Sequence, residues 1–148
     1  MTAAATGRRT ALITGASAGI GTELARVFAR AGWDLVLTAR RADRLEALAA
    51  EMIRDHGIEA ECIPADLADP AAPQSLFDQT EGRGRAIDAL VNNAGYGVPG
   101  AFAETGWEDY RALLQVLGTA PIELTHLYTT PMRERGYGRI LQIARWPA

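Results

Sequence analysis

Apolar residues follow two alternating rhythms along this chain. Short, mostly apolar runs, the pattern of strands covered on both faces, occupy 10–14, 35–37, 60–63, 87–91 and 139–144. Between them apolar positions recur three and four residues apart, as on one face of a helix. Leu24, Val27, Phe28 and Ala31 mark a helix over 19–31, and Leu45, Leu48, Ala49 and Met52 one over 41–56. Pro70 opens a third helix, which carries Leu76 and Phe77 and fades at Gly82. A fourth, long helix spans 107–134. Glycines punctuate the pattern: Gly32 and Gly57 stop the first two helices, Gly136-Tyr137-Gly138 breaks the last, and a glycine-rich loop fills 93–106.

Strand and helix in strict alternation predict a parallel sheet with helices on both faces. Right-handed crossovers favour the doubly wound, Rossmann-like order 3-2-1-4-5 for five strands. Ligands of such α/β sheets bind at the carboxyl ends of the strands, near the switch point between strands 1 and 4. No repeat, low-complexity tract or linker interrupts the chain, so a single domain over 1–148 is expected.

Composition narrows the possible partners. With 148 residues, 48% apolar and 22% charged, the chain can bury a core. Net charge is −3 and no basic block occurs, which argues against nucleic acid. No apolar run reaches membrane-spanning length and no signal-peptide pattern opens the sequence, so neither a membrane nor export is expected. Residues 1–8 read as a flexible arm. A single cysteine, Cys62, forms no internal disulfide and no cluster with His56 or His126 at metal-ligand spacing; no metal is expected, and cytoplasm is the default compartment. His56 sits at a helix end, His126 inside a helix, and Trp33, Trp107 and Trp146 read as packing residues, with Trp107 anchoring the long helix. All fifteen basic residues are arginine, and there are only two serines, Ser17 and Ser75.

The candidate chemistry starts at Thr14-Gly15-Ala16-Ser17-Ala18-Gly19-Ile20-Gly21, directly after the first strand and at the start of the first helix. Such a turn exposes backbone N–H groups beside the positive end of a helix dipole, which suits a diphosphate. Gly15 suits the tight turn; Gly19 and Gly21, lacking Cβ atoms, let phosphate and neighbouring backbone approach. At the end of the second strand Ala39 stands where an acid would grip the ribose hydroxyls of NAD, and Arg40 and Arg41 follow. A guanidinium binds a 2′-phosphate bidentately, so NADP is favoured over NAD, with Arg40 the better candidate because it comes directly off the strand.

Two glycine-bearing motifs, this Thr-Gly-x-x-x-Gly-Ile-Gly turn and Asn92-Asn93-Ala94-Gly95 after the fourth strand, together resemble the short-chain dehydrogenase/reductase family over almost the whole chain. The resemblance implies that Asp66 hydrogen-bonds the adenine amino group, that Leu67 packs on the ring, and that Asn93, Ala94 and Gly95 border the cofactor ribose. A turn or N-cap role for Asp66 beside Asp69-Pro70 is the alternative reading. The resemblance also implies hydride transfer between nicotinamide and a small carbonyl or alcohol, and a long helix able to pair with a second copy.

Catalysis in the family resembles a proton relay through Asn, Ser, Tyr and Lys, the last two as Tyr-x-x-x-Lys in a helix after the fifth strand. This sequence has no Lys. Aligned on the fifth strand, Arg145 stands in the serine position; counting back without a gap, Leu117 stands in the asparagine position. No catalytic residue is therefore assigned. Pro121, four residues after Leu117, has no N–H and predicts a helix irregularity that frees the Leu117 carbonyl. The ending Arg145-Trp146-Pro147-Ala148 is atypical, and a chain cut or frame-shifted after Ala144 is expected, lacking the family's C-terminal strands. A carbonyl or alcohol substrate is then expected only for a full-length form. The fifth strand should form an open edge, with Leu90, Leu141 and Ile143 on a thinly covered face, in a marginal domain prone to associate.

Overall fold

The computed structural model of the protein describes residues 7–144. The tail at 145–148, Arg145 and Trp146 included, and residues 1–6 of the expected arm lie outside them. Arg8, the end of that arm, is tied down: its Nη1 donates to the Gly57 carbonyl at 2.9 Å.

Five parallel strands form one sheet in the order β3-β2-β1-β4-β5, as the alternation predicts. They are β1 (Thr10–Thr14), β2 (Asp34–Thr38), β3 (Ala60–Cys62), β4 (Ala89–Asn92) and β5 (Arg139–Gln142). The helices are α1 (Gly19–Arg30), α2 (Ala42–His56), α3 (Ala72–Gln79), α4 (Trp107–Leu114) and α5 (Ala120–Glu134). Boundaries move by one or two residues where backbone chemistry overrides the apolar pattern. Asp34 begins β2 because its carboxylate accepts the Glu59 N–H at 2.8 Å, joining the starts of two strands. The third helix starts at Ala72 rather than Pro70, since the Asp69 carboxylate accepts the Ala71 N–H and turns the chain first.

Strand alternation splits the core into two layers. Ala11, Ile13, Leu35, Leu37, Ala89 and Val91 face α1 and α2. Leu12, Val36 and Leu90 face α3 and α5, with Leu124, Tyr128 and Met132 packed over them. Every residue of β1, β2 and β4 is buried, the signature of a sheet covered on both sides. Tyr128 lies at the centre of the second layer; its hydroxyl meets the Thr80 hydroxyl at 2.6 Å, and burial raises its pKa well above the ordinary phenol value.

The long helix is continuous from Trp107 to Glu134 but is not one regular α-helix. A π-helical segment, Gln115–Thr119, separates α4 from α5 just ahead of Pro121, where the missing N–H was expected to disturb the ladder. Trp107 does not anchor the helix as expected; its side chain is 61% exposed.

Among the described residues β5 pairs only with β4, and all four of its residues are exposed. The grouping of Leu90 with Leu141 and Ile143 is corrected. Register places Leu90 opposite Ile140 and Val91 opposite Leu141, so Leu90 points to the other face. There α5 buries it completely, while Leu141 remains 41% exposed.

Candidate functional site

At the carboxyl ends of β1, β2 and β4 the chain forms a cleft of about 240 Å³. Its walls include Gly15, Ser17, Ala18 and Gly19 from the first turn, Arg40 after β2, Asp66 and Leu67 after β3, and Asn93, Ala94 and Gly95 after β4. Ten of the thirteen residues singled out from the sequence thus meet at one place. The other three belong to the same turn without lining the cleft. Ala16 is buried and spends its N–H on the Thr38 carbonyl at 3.2 Å, Ile20 is exposed, and Gly21 lies beneath the turn.

The glycines do different jobs. Gly15 and Gly19 have φ of +64° and +56°, in the left-handed region that a Cβ disfavours. Gly15 is also tightly packed: a Cβ there would lie 2.8 Å from the Ala94 Cα. At Gly19 the space is open, so conformation alone requires glycine. Gly21 has ordinary φ, but a Cβ would collide with the Gly15 carbonyl oxygen and come 2.5 Å from Asn93 Nδ2. Close approach at Gly21 therefore serves the turn itself.

The β1 and β4 ends are laced together. Thr14 Oγ1 accepts from the backbone N–H groups of Asn93 and Ala94 at 3.0 and 2.9 Å and donates to the Val91 carbonyl. Asn93 Nδ2 donates to the carbonyls of Thr14 and Gly15 at 3.1 and 3.2 Å. Asn92 Nδ2 reaches Thr125 Oγ1 on α5 at 3.2 Å. These bonds hold the Asn-Asn-Ala-Gly segment against the first turn and fix the spacing of the two walls. The sequence pattern assigns the asparagines a strand-tying role but does not single out Thr14, whose hydroxyl is the hub; its position between an apolar run and Gly15 is the signal that could have found it.

Both features of an anion cradle are present. Helix α1 begins after Ala18, which has no side-chain acceptor, and its first turn has no acidic residue, so its positive end is not compensated from within. Arg40 and Arg41 stand across the cleft, and among the described residues neither forms an ion pair with a carboxylate. Two buried polar atoms in the cleft walls, Thr38 Oγ1 and Asn93 Oδ1, have no hydrogen-bond partner among the described residues. Asp66 carries out the turn role: its Oδ1 accepts the Ala68 N–H at 3.0 Å. Thr38 and Tyr96 also line the cleft, and the sequence pattern does not point to either.

Leu117, in the asparagine position, lies in the π-helical segment and borders a separate cavity of about 50 Å³ with Asn92, Pro121 and Gln142. Its side chain offers no proton donor or acceptor. No group of three His, Cys, Asp or Glu residues among those described could hold a metal ion, and no helix there is long and apolar enough to cross a membrane.

Comparison with known proteins gives one consistent picture. The short chain dehydrogenase family model matches residues 9–145. Nodulation protein G of Rhizobium sp. (strain N33) is 39% identical over 138 residues, covering 93% of this chain and 54% of that protein. Among solved structures, a short-chain dehydrogenase from Sphingobium yanoikuyae in complex with NADPH is 38% identical with a TM-score of 0.86, over 92% of this chain and 53% of that one. L-Sorbose reductase from Gluconobacter frateurii, complexed with NADPH and L-sorbose, is 32% identical with a TM-score of 0.85, over 91% of this chain and 51% of that one. The chain spans about half the length of the curated relatives it matches.

Proposed function

This chain belongs to the short-chain dehydrogenase family, and from that premise we propose that it is the cofactor-binding part, a single domain, of an NADP-linked oxidoreductase acting on a small carbonyl or alcohol. The observation that carries the reading is the cleft in which an uncompensated helix start faces Arg40, which has no acidic partner among the described residues. The donor set fits a dinucleotide. Backbone amides of the Gly15–Gly21 turn suit the diphosphate. The Arg40 guanidinium suits a 2′-phosphate, where an acid would repel it. The second oxygen of Asp66 and the apolar side chain of Leu67 suit the adenine, and the Cβ-poor wall at Ala94 and Gly95 suits a ribose. NADPH in the related structures from Sphingobium yanoikuyae and Gluconobacter frateurii supports the same assignment.

When bound, the nicotinamide supplies hydride chemistry. The described residues of this chain bind and orient; none of them handles a proton at the asparagine position, since Leu117 stands there. A second reading is a module that binds NADP without turnover, favoured by Leu117, whose side chain offers no proton donor or acceptor in the asparagine position. A single half-buried cysteine fits the cytoplasm. Exposed Trp107, Leu114 and Ile122 along α4 and α5 support pairing with a second copy.

Calorimetric titration with NADPH and NADH tests the cofactor assignment. NADPH should bind at least about tenfold tighter, and Arg40→Ala should erase most of that margin, because a charged hydrogen-bonding pair contributes about 1.5–3 kcal/mol. Equal affinities, or an Arg40→Ala variant that keeps the preference, would overturn it. An assay against a panel of ketones and aldehydes separates the two readings: turnover above background favours the oxidoreductase, and binding without turnover the module.

A further inference from the structure

The cleft is spanned by a contact that the sequence pattern does not announce. Arg40 follows β2 and Tyr96 follows β4, and in the sheet these strands flank β1 on opposite sides. The Arg40 guanidinium carbon stands 6.0 Å from the centroid of the Tyr96 ring. The pair therefore bridges from one wall of the cleft to the other, across the glycine turn that follows β1. Both residues line the cleft, and the ring is the partner the structure gives the Arg40 guanidinium. An arginine on an exposed turn otherwise samples many rotamers, and ordering it on binding costs entropy. A ring face attracts the cation without using any of its five N–H donors, so the fork remains available for an anion.

We propose that Tyr96 is a positioning residue for Arg40: its ring holds the guanidinium over the cleft, so that the 2′-phosphate of NADP meets a pre-oriented cation. The proposal rests on the reading that this cleft takes NADP. It also gives a reason to place the 2′-phosphate at Arg40 rather than at Arg41, which lines the same cleft but has no ring contact among the described residues. Tyr96 thereby contributes to the choice between NADP and NAD without contacting any part that the two cofactors share.

The test is calorimetry of NADPH and NADH on the whole chain and on Tyr96→Phe and Tyr96→Leu. Phenylalanine keeps the ring face; leucine keeps apolar bulk in the loop but removes the face. Tyr96→Phe should bind both cofactors like the parent. Tyr96→Leu should lose about two- to fivefold in NADPH affinity, the effect of an exposed cation–π pair, with NADH unchanged. A parent that prefers NADPH together with a Tyr96→Leu variant of equal preference would overturn the positioning role alone. Equal losses for both cofactors would also overturn it, because the ring would then act on a shared part. A parent without preference for NADPH would overturn the NADP reading and this inference with it.

Discussion

Single atoms decide much of the cleft. Gly19 and Gly21 belong to one motif, yet substitution should affect them through different physics. Gly19→Ala meets open space but must hold φ near +56°, a strain of about 1–2 kcal/mol. Gly21→Ala keeps an ordinary backbone but drives a methyl into the Gly15 carbonyl and Asn93, overpacking of about 1–3 kcal/mol. Urea denaturation should show both losses. In NADPH titration Gly21→Ala should lose far more affinity, because the collision displaces the turn itself. A Gly21→Ala variant that binds NADPH like the parent would contradict the packing described here. Thr14 belongs to the same scale: its hydroxyl joins β1 to the start of the β4 loop through three hydrogen bonds. Thr14→Val should therefore destabilise by about 1–3 kcal/mol in the same denaturation, by leaving two N–H groups without their acceptor.

At the scale of elements, helices α1 and α2 are joined on their outer side by Arg26, whose Nε donates to Glu51 Oε1 at 2.8 Å. Arg26 also contacts Glu23 on its own helix. The Arg26 hydrogen bond holds the Glu51 carboxyl below the usual carboxylate range, against the opposing effect of burial. A carboxyl with a lowered folded-state pKa stabilises the fold above its unfolded pKa, and that contribution disappears as pH falls through the folded value. Thermal melts at pH 7 and pH 3 should therefore show a smaller acid-induced loss in Glu51→Gln than in the parent. The difference should be modest, since the Glu51 side chain is about a third exposed and solvent screens the pair. The helix that carries Leu117 shows the opposite kind of control. Pro121 removes one donor, and the backbone relaxes into a π-helical segment rather than a sharp break, so α4 and α5 remain one continuous wall.

For the molecule as a whole, the distribution of exposed apolar side chains sets the expectation. Phe102, Trp107, Leu114 and Ile122 are each at least 60% exposed, and Ile140 and Leu141 stand on an edge strand with no neighbour beyond it among the described residues. Such surface favours association. Sedimentation should find the chain self-associating, with a melting temperature that rises with concentration. Ile122→Glu should shift the distribution toward monomer if α5 carries the contact. A monomer with a high, concentration-independent melting temperature would refute the expectation.

How far the sequence reaches follows from the range of the interactions involved. Alternating apolar periods and glycine stops set the element order, and parallel strands joined by helices leave few topologies, so the five-strand order is legible in the sequence alone. Ten of the thirteen residues proposed for the cofactor gather in one cleft, because the turns that carry them follow strand ends on the carboxyl edge of the sheet. Contacts between residues far apart in the chain are not legible in this way. The Thr14 hub depends on atoms about eighty positions away, the pairing of Arg40 with Tyr96 on two loops brought together by strand order, and the opposite facing of Leu90 and Leu141 on register between β4 and β5. Local sequence sets periods and turns, because those depend on neighbouring backbone. Which side chains meet across a sheet is decided only when the strands align, because a shift of one residue sends every side chain to the other face.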